Sequence, residues 1–137
     1  MSTQSQNGYM LLYRSDESYK ELPHEELEKL IGQNKAWVER LKAEGKIKAG
    51  QALERKGVTV SGKNGTFVSD GPFAESKEVI GGYLVLNVET FEEAVAIAQS
   101  SPGLSCGASI DVRPLADECP LDAWERELAR EGQLAVA

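Results

Sequence analysis

Residues 70–78, with the sequence DGPFAESKE, concentrate ionisable side chains in a short stretch of the chain. Asp70 and Glu75 could donate or accept a proton, and they are the candidate catalytic residues. Lys77 and Glu78 are candidate ligand-binding residues. A turn explains the Asp-Gly-Pro sequence, because Asp accepts hydrogen bonds from following amides and Gly adopts unusual torsions, but it does not require the charges that follow. Charge runs are usually solvated surface, so a structural role stays open.

Three residues outside this stretch are further candidates for ligand binding. Arg113 could hold an anionic group through its guanidinium, or pair structurally with Asp111. Tyr83 could form a wall or donate a hydrogen bond. Asn34 takes the inward position of the first helical pattern, where it could line a pocket or be a satisfied core amide. We expect Arg113 and the carboxylates of residues 70–78 to meet in one pocket.

The composition restricts the chemistry and the partners. The chain has 137 residues, two cysteines and one histidine, which are too few soft ligands for a zinc site, so we predict no metal and no cofactor. A net charge of −7 disfavours a nucleic-acid partner. No apolar run approaches the ~20 residues of a membrane span, and the N-terminus does not resemble a signal peptide. We therefore expect a cytoplasmic protein.

Hydrophobic periodicity and turn residues predict a mixed α and β chain. The N-terminal run YMLLYR is apolar without alternation, which indicates a central strand. The pair Asn64-Gly65 predicts the turn of a hairpin. The predicted elements, in order, are a strand at 9–14, a helix from Pro23 to Gly45, a strand at 47–53, the hairpin, a strand at 83–88, a helix capped by Thr90, a strand at 108–115, and a short helix from Pro120 to Gly132.

This order predicts a ferredoxin-like βαββαβ sandwich with an inserted hairpin. Both helices should cover one face of the sheet. The opposite face would carry apolar residues such as Tyr83 and Val85, which are rarely left exposed over a large area. We therefore predict a homodimer that closes sheet against sheet. The predicted organisation is a disordered tail at 1–8, a domain at 9–115 and a C-terminal extension at 116–137.

Residues 70–78, the following Gly81-Gly82-Tyr83 and the closing DVRPL at 111–115 resemble the DGPF branch of the YCII-related domain family. The resemblance covers roughly Tyr9 to Leu115. It implies a bacterial protein whose ferredoxin-like fold pairs into a dimeric α/β barrel. The wider family carries a His on the first helix as part of a proposed His-Asp pair. The chain's His24 lies at the helix start and Asn34 takes the inward position, so that role is not transferred to His24.

Two functions are consistent with these features. The first is a small-molecule-binding or enzyme-like dimer with a pocket near residues 70–78, which would accept a small anionic or aromatic molecule. The alternative is a non-catalytic interaction or regulatory module. Because the genes of DGPF proteins often lie beside those of extracytoplasmic-function sigma factors, the resemblance suggests such a factor as its partner.

Overall fold

The structure, a computed structural model, describes residues 7–69 and 79–136. The prediction of a mixed α+β protein with an antiparallel sheet is confirmed. The strands are β1 (Tyr9–Ser15), β2 (Ile47–Ala52), β3 (Thr59–Ser61), β4 (Phe67–Ser69), β5 (Val79–Leu86) and β6 (Ser109–Pro114). The helices are α1 (His24–Ala43), α2 (Phe91–Gln99) and α3 (Pro120–Val136), and short 3-10 turns cover Ser18–Glu21, Lys63–Gly65 and Pro102–Cys106.

The main sheet has four strands in the order β2-β5-β1-β6, and every neighbouring pair is antiparallel. β1 lies between β5 and β6, as its uninterrupted apolar sequence predicted. β3 and β4 form a separate hairpin, and Asn64 (φ 64°) and Gly65 (φ 67°) supply its turn. The pairing of two copies into a barrel stays a prediction.

One face of the sheet carries the hydrophobic core. Alternation along β1 places the fully buried Tyr9 and Leu11 on this face. They pack with Trp37 and Leu41 of α1 and with Ala94, Ile97 and Ala98 of α2. Leu84, Leu86, Ile110 and Val112 join them from the strands on either side. Both crossover helices therefore cover the same face, which confirms that prediction.

The helix ends follow their capping residues. Thr90 accepts a hydrogen bond from the backbone N–H of Glu93 at 3.1 Å, which fixes the start of α2. Gly45, with φ +70°, adopts the left-handed conformation that ends α1, and Lys46 N–H then bonds to the Leu41 carbonyl at 2.9 Å.

Two elements extend beyond their predicted bounds. β5 starts at Val79 rather than at Tyr83, so the Gly81-Gly82 pair lies inside the strand. Tyr13 pairs with Gly82 and Arg14 with Ile80, which leaves Gly81 as the extra residue of a β-bulge. α3 runs through Gly132 to Val136, because a glycine inside a helix costs only about 1 kcal/mol relative to alanine.

The first half of α1 does not reach the core. Trp37 and Leu41 are buried, whereas Ile31 is 47% exposed and Leu27 and Leu30 are half-buried. Asn34 is exposed, so its interpretation as a core amide is wrong. The 3.6-residue period gives the direction of a side chain but not the length over which a helix rests on its sheet.

Candidate functional site

A cleft of about 440 Å³ opens between α1 and the β2–β5 edge of the sheet. Its floor consists of Gly50, Ala52 and Gly82, which lie on the helix-facing side of their strands. Large side chains at these positions would fill the space under α1. A Cβ built on Gly50 would lie 2.5 Å from Leu84 Cδ2, and one built on Gly82 would lie 3.0 Å from the Gln51 carbonyl oxygen. The cleft therefore exists because this edge of the sheet is built from glycine and alanine.

Two aromatic rings form the inner wall of the cleft. Tyr13 of β1 and Trp37 of α1 meet edge to face, with ring centroids 6.5 Å apart. The indole Nε1–H of Trp37 donates to Ser100 Oγ at 2.8 Å, and Ser100 donates in turn to the Ile97 carbonyl at 2.6 Å. These bonds hold the indole against the end of α2, so the wall is rigid.

The Tyr13 hydroxyl is buried and has no hydrogen-bond partner among residues 7–69 and 79–136. Burial raises the pKa of Tyr13 well above its usual value. The Ser101 side chain opposes this shift in part, but the pair does not have the geometry of a hydrogen bond. The phenol is therefore neutral at physiological pH, and its oxygen is closed off from solvent.

Polar groups of α1 lie on the outer side of the cleft. Asn34 and Lys42 both line it and both are exposed. Lys42 forms no ion pair with any residue that the structure describes. An amide and an ammonium group thus border a space with aromatic walls. This set of donors suits a planar ligand that carries a negative charge.

The structure places the predicted site residues in three different regions. Asn34 and Tyr83 line the cleft, although alternation along β5 directs the Tyr83 side chain to the face opposite Leu84. Asp70, Glu75, Lys77 and Glu78 lie outside the described residues. Arg113 is exposed on β6 and does not line the cleft. Its expected meeting with the carboxylates of residues 70–78 therefore stays a prediction.

Asp111 does not pair with Arg113, which was the structural alternative. Its carboxylate instead accepts a hydrogen bond from Arg14 Nη2 at 3.1 Å. Arg14 and Asp111 lie on the face of the sheet that the helices leave uncovered, beside Leu12, which pairs with Asp111 in the β1–β6 register. The sequence separation of 97 residues hides this contact from local pattern analysis.

Sequence reasoning missed Tyr13, Trp37 and Lys42 as parts of a site. Tyr13 falls in the predicted first strand, and Trp37 and Lys42 fall in the predicted first helix. Only the glycines carry a local signal, since a glycine inside a strand often marks a close approach of another group. In β5, Gly82 does lie against Gln51 and Ala52 of β2.

Within residues 7–69 and 79–136, no three His, Cys, Asp or Glu side chains are grouped as metal ligands. None of the helices in the same ranges has the length and apolar character needed to cross a bilayer. His24 lies at the start of α1, is exposed, and contacts Glu28 through Nε2 at 2.9 Å.

The fold and the cleft together define an α+β protein with a ligand-sized space between its first helix and its sheet. The chain belongs to the YCII-related domain family, whose model matches residues 8–116. Among solved structures it is similar to 5-chloro-2-hydroxyhydroquinone dehydrochlorinase (TftG) from Burkholderia phenoliruptrix AC1100, in complex with 2,5-dihydroxybenzoquinone. That match has 23% identity and a TM-score of 0.44, and it covers 80% of this chain and 95% of the other. No curated protein matches the sequence.

Proposed function

We propose that the protein binds a small anionic aromatic molecule in the cleft between α1 and the β2–β5 edge. The observation that carries this proposal is the floor of glycine and alanine beneath the aromatic wall of Tyr13 and Trp37, with the Lys42 ammonium group on the outer side. A planar ring fits a space of this shape, and the lysine favours a ring that carries a negative charge.

The charge of the ligand follows from the groups that border the cleft. Lys42, which has no ion-pair partner in the described part of the chain, supplies a positive charge. Tyr13 is neutral and Asn34 is uncharged, so these three residues contribute no negative charge. A carboxylate or phenolate therefore fits the cleft better than a cation does.

The roles of the DGPF stretch, residues 70–78, are part of this proposal. The stretch joins Ser69 to Val79, and Val79 lies two positions before Gly81, which lines the cleft. We assign proton transfer to Asp70 and Glu75, and ligand contacts to Lys77 and Glu78. Asn34, Tyr83 and Arg113 complete the proposed ligand-binding residues. Placement in the DGPF branch rests on the sequence of residues 70–78 and on the DVRPL ending.

Thermal unfolding with three matched probes tests the ligand class. Benzoate has a ring and a charge, benzamide has the ring alone, and acetate has the charge alone. We expect benzoate to raise the melting temperature most, because a ligand that binds only the native state stabilises it by mass action. Lys42→Ala should abolish the difference between benzoate and benzamide, whereas Lys29→Ala, on the same helix but outside the cleft, should retain it. Equal responses to all three probes would contradict the proposal.

We further propose a homodimer through the uncovered face of the sheet. Alternation places Met10 and Leu12 of β1, with their register partners Val85 and Tyr83 of β5, on this face. A second copy would remove these apolar groups from water. The alternative function, an interaction module connected with a sigma factor, has no support from the family match and stays a prediction.

A further inference from the structure

The C-terminal helix α3 presents an apolar stripe to solvent. Leu121, Trp124 and Leu128 follow the helical spacing that places side chains on one face, and they are 76%, 65% and 55% exposed. In the described part of α3, Ala123 is half-buried and every other side chain is exposed. The helix begins after residue 116, where the family match ends. A stripe of this kind is typical of a helix that docks into a groove.

Acidic side chains border this stripe. A shallow depression of about 470 Å³ along α3 is lined by Trp124 and Leu128 together with Glu127 and Glu131. Arg126 is held by both carboxylate oxygens of Glu118, and Arg130 pairs with Glu127 at 3.4 Å. Glu131 forms no ion pair with the residues that the structure describes. The surface that would accept the stripe should therefore combine apolar side chains with positive charge.

The outer side of α1 offers such a surface. A groove of about 500 Å³ is lined by the apolar residues Leu27, Leu30 and Ile31, and two lysines, Lys20 and Lys35, border it. No carboxylate belongs to the described lining of this groove. Ile31 is 47% exposed, so the groove is open to a partner.

The two lysines keep a net positive charge at the groove. Lys35 forms no ion pair with the residues that the structure describes. Lys20 pairs with Glu17, whose carboxylate also contacts Arg55 at 3.5 Å, so Lys35 is the source of the unpaired charge at the groove. The groove thus complements the stripe in both hydrophobicity and charge.

The two surfaces lie at opposite ends of the sheet. Tyr19 and Gly103 of the groove are near the end where Ser109 pairs with Arg14. The connection to α3 leaves from the other end, where Leu115 N–H bonds to the Gly8 carbonyl at 2.9 Å. A six-residue strand such as β6 separates these ends by roughly 20 Å. Within its own chain the stripe stays exposed, so we look for the groove that accepts it on another molecule.

We propose that α3 of one copy docks into the Leu27–Leu30–Ile31 groove of a second copy, with Trp124 as the anchor and Glu131 facing Lys35. Reciprocal docking would close a symmetric pair without leaving either surface exposed. This contact is separate from the uncovered sheet face, and it does not depend on the ligand of the cleft.

Disulfide trapping between different copies tests this docking. Both copies carry Cys106→Ser and Cys119→Ser, one copy adds Ile31→Cys, and the other adds Leu128→Cys. We expect a heterodisulfide after mild oxidation, and none when Lys29→Cys, on the opposite side of α1, replaces Ile31→Cys. Equal yields from these two positions would overturn the proposal. An intramolecular bond in dilute Ile31→Cys/Leu128→Cys protein would also overturn it, because the groove would then hold α3 of its own chain.

The dissociation constant measured in the Leu12→Glu protein reports on the α3 contact alone, because this substitution is expected to disrupt the sheet-face dimer. In that background we expect Trp124→Ala to raise the remaining dissociation constant at least tenfold, as truncation of a buried aromatic anchor does. Ala129→Gln, away from the stripe, should leave it unchanged. Lys35→Glu should weaken association, and mixing it with Glu131→Lys protein should restore it. If Trp124→Ala and Ala129→Gln behave alike, α3 is not the docking element. Both positions are exposed, so neither change threatens the fold.

Discussion

The phenol ring of Tyr13 meets the indole of Trp37 at an interplanar angle of 85°, with ring centroids 6.5 Å apart. This contact joins the central strand to α1 at the point where the cleft begins. Because Trp37 also hydrogen-bonds to Ser100 beyond the end of α2, one residue connects the sheet, both crossover helices and the proposed ligand site.

Replacement of this indole should be costly. Trp37→Phe removes the bond to Ser100 and part of the buried ring, so we expect a loss of about 1–3 kcal/mol in the free energy of unfolding. Urea unfolding measures this. Trp37 is 4% exposed and Phe67 is 60% exposed, so Phe67→Leu is the control and should change stability by no more than about 0.5 kcal/mol. Equal effects of the two substitutions would contradict the structural role of Trp37.

A methyl group on the cleft floor should close the site. The Cβ of Gly82→Ala would lie 3.0 Å from the Gln51 carbonyl oxygen and 3.3 Å from Ala52 Cα, so β2 must shift. We expect loss of the benzoate response and a destabilisation of about 1 kcal/mol or more. Gly32→Ala on α1 is the control, because its Cβ would meet nothing within 4 Å. It should raise helix stability by up to about 1 kcal/mol. A Gly82→Ala protein that binds benzoate normally would place the ligand elsewhere.

The buried phenol should make stability fall at high pH. Below the ordinary tyrosine pKa of 10.0, Tyr13 carries its proton in both states and contributes no pH dependence. Above it, the unfolded state releases the proton while burial keeps it in the folded state. The free energy of unfolding then falls by up to about 1.4 kcal/mol per pH unit from this group. Urea unfolding between pH 7 and pH 11 in the wild type and in Tyr13→Phe measures the difference.

The Tyr13→Phe protein should lose that part of the slope and, at pH 7, should be as stable as the wild type or slightly more so, because an unpartnered hydroxyl is removed. Tyr19→Phe is the control and should leave the slope in place. If Tyr13→Phe costs more than about 1 kcal/mol at pH 7, the hydroxyl has a stabilising partner in the folded protein.

Local sequence signals were sufficient for most of the fold. Asn64-Gly65 predicted a hairpin because its residues tolerate positive φ, and Thr90 predicted a helix start because its side chain can cap an amide. The apolar YMLLYR run predicted a central strand, and β1 does pair along both edges in an antiparallel order of four strands, although the helices cover only one of its faces. These signals depend on residues that are close in sequence.

The cleft could not be predicted in this way. It depends on the register that places Gly50 beside Leu84 and Gly82 beside Ala52, and a register is set by pairing across the sheet. Asn34 shows a related limit, since periodicity gave its direction but not the overhang of α1 that exposes it. Gly132 predicted a helix end, yet α3 continues because no tertiary contact in the described chain requires it to stop there.

A charge on the uncovered sheet face should separate the proposed dimer. Leu12 lies in the middle of this face, between Tyr83 and Asp111 in the sheet register. Leu12→Glu would place an unpaired carboxylate in the interface, and we expect light scattering to report a smaller species at micromolar concentration. Gln33→Glu on the exposed side of α1 adds the same charge and should not change the mass. A wild-type protein that is monomeric in this range would refute the sheet-face dimer.

The ion pair between Arg14 and Asp111 can report whether a second copy covers the sheet face that the helices leave open. In one copy their side chains are 40% and 44% exposed, and an ion pair of this kind contributes only about 0.2–1 kcal/mol. Arg14 Nε is nevertheless buried and lacks a hydrogen-bond partner within the described residues.

If a second copy covers this face, Asp111→Ala leaves a guanidinium buried without its carboxylate, which typically costs about 3–5 kcal/mol. We therefore expect Asp111→Ala to raise the dimer dissociation constant at least tenfold, measured by sedimentation over a dilution series, while the monomer's urea unfolding changes little. Glu54→Ala removes an ion pair that is 88% and 80% exposed and should affect neither quantity. Equal behaviour of Asp111→Ala and Glu54→Ala would mean that the Arg14 face stays in water.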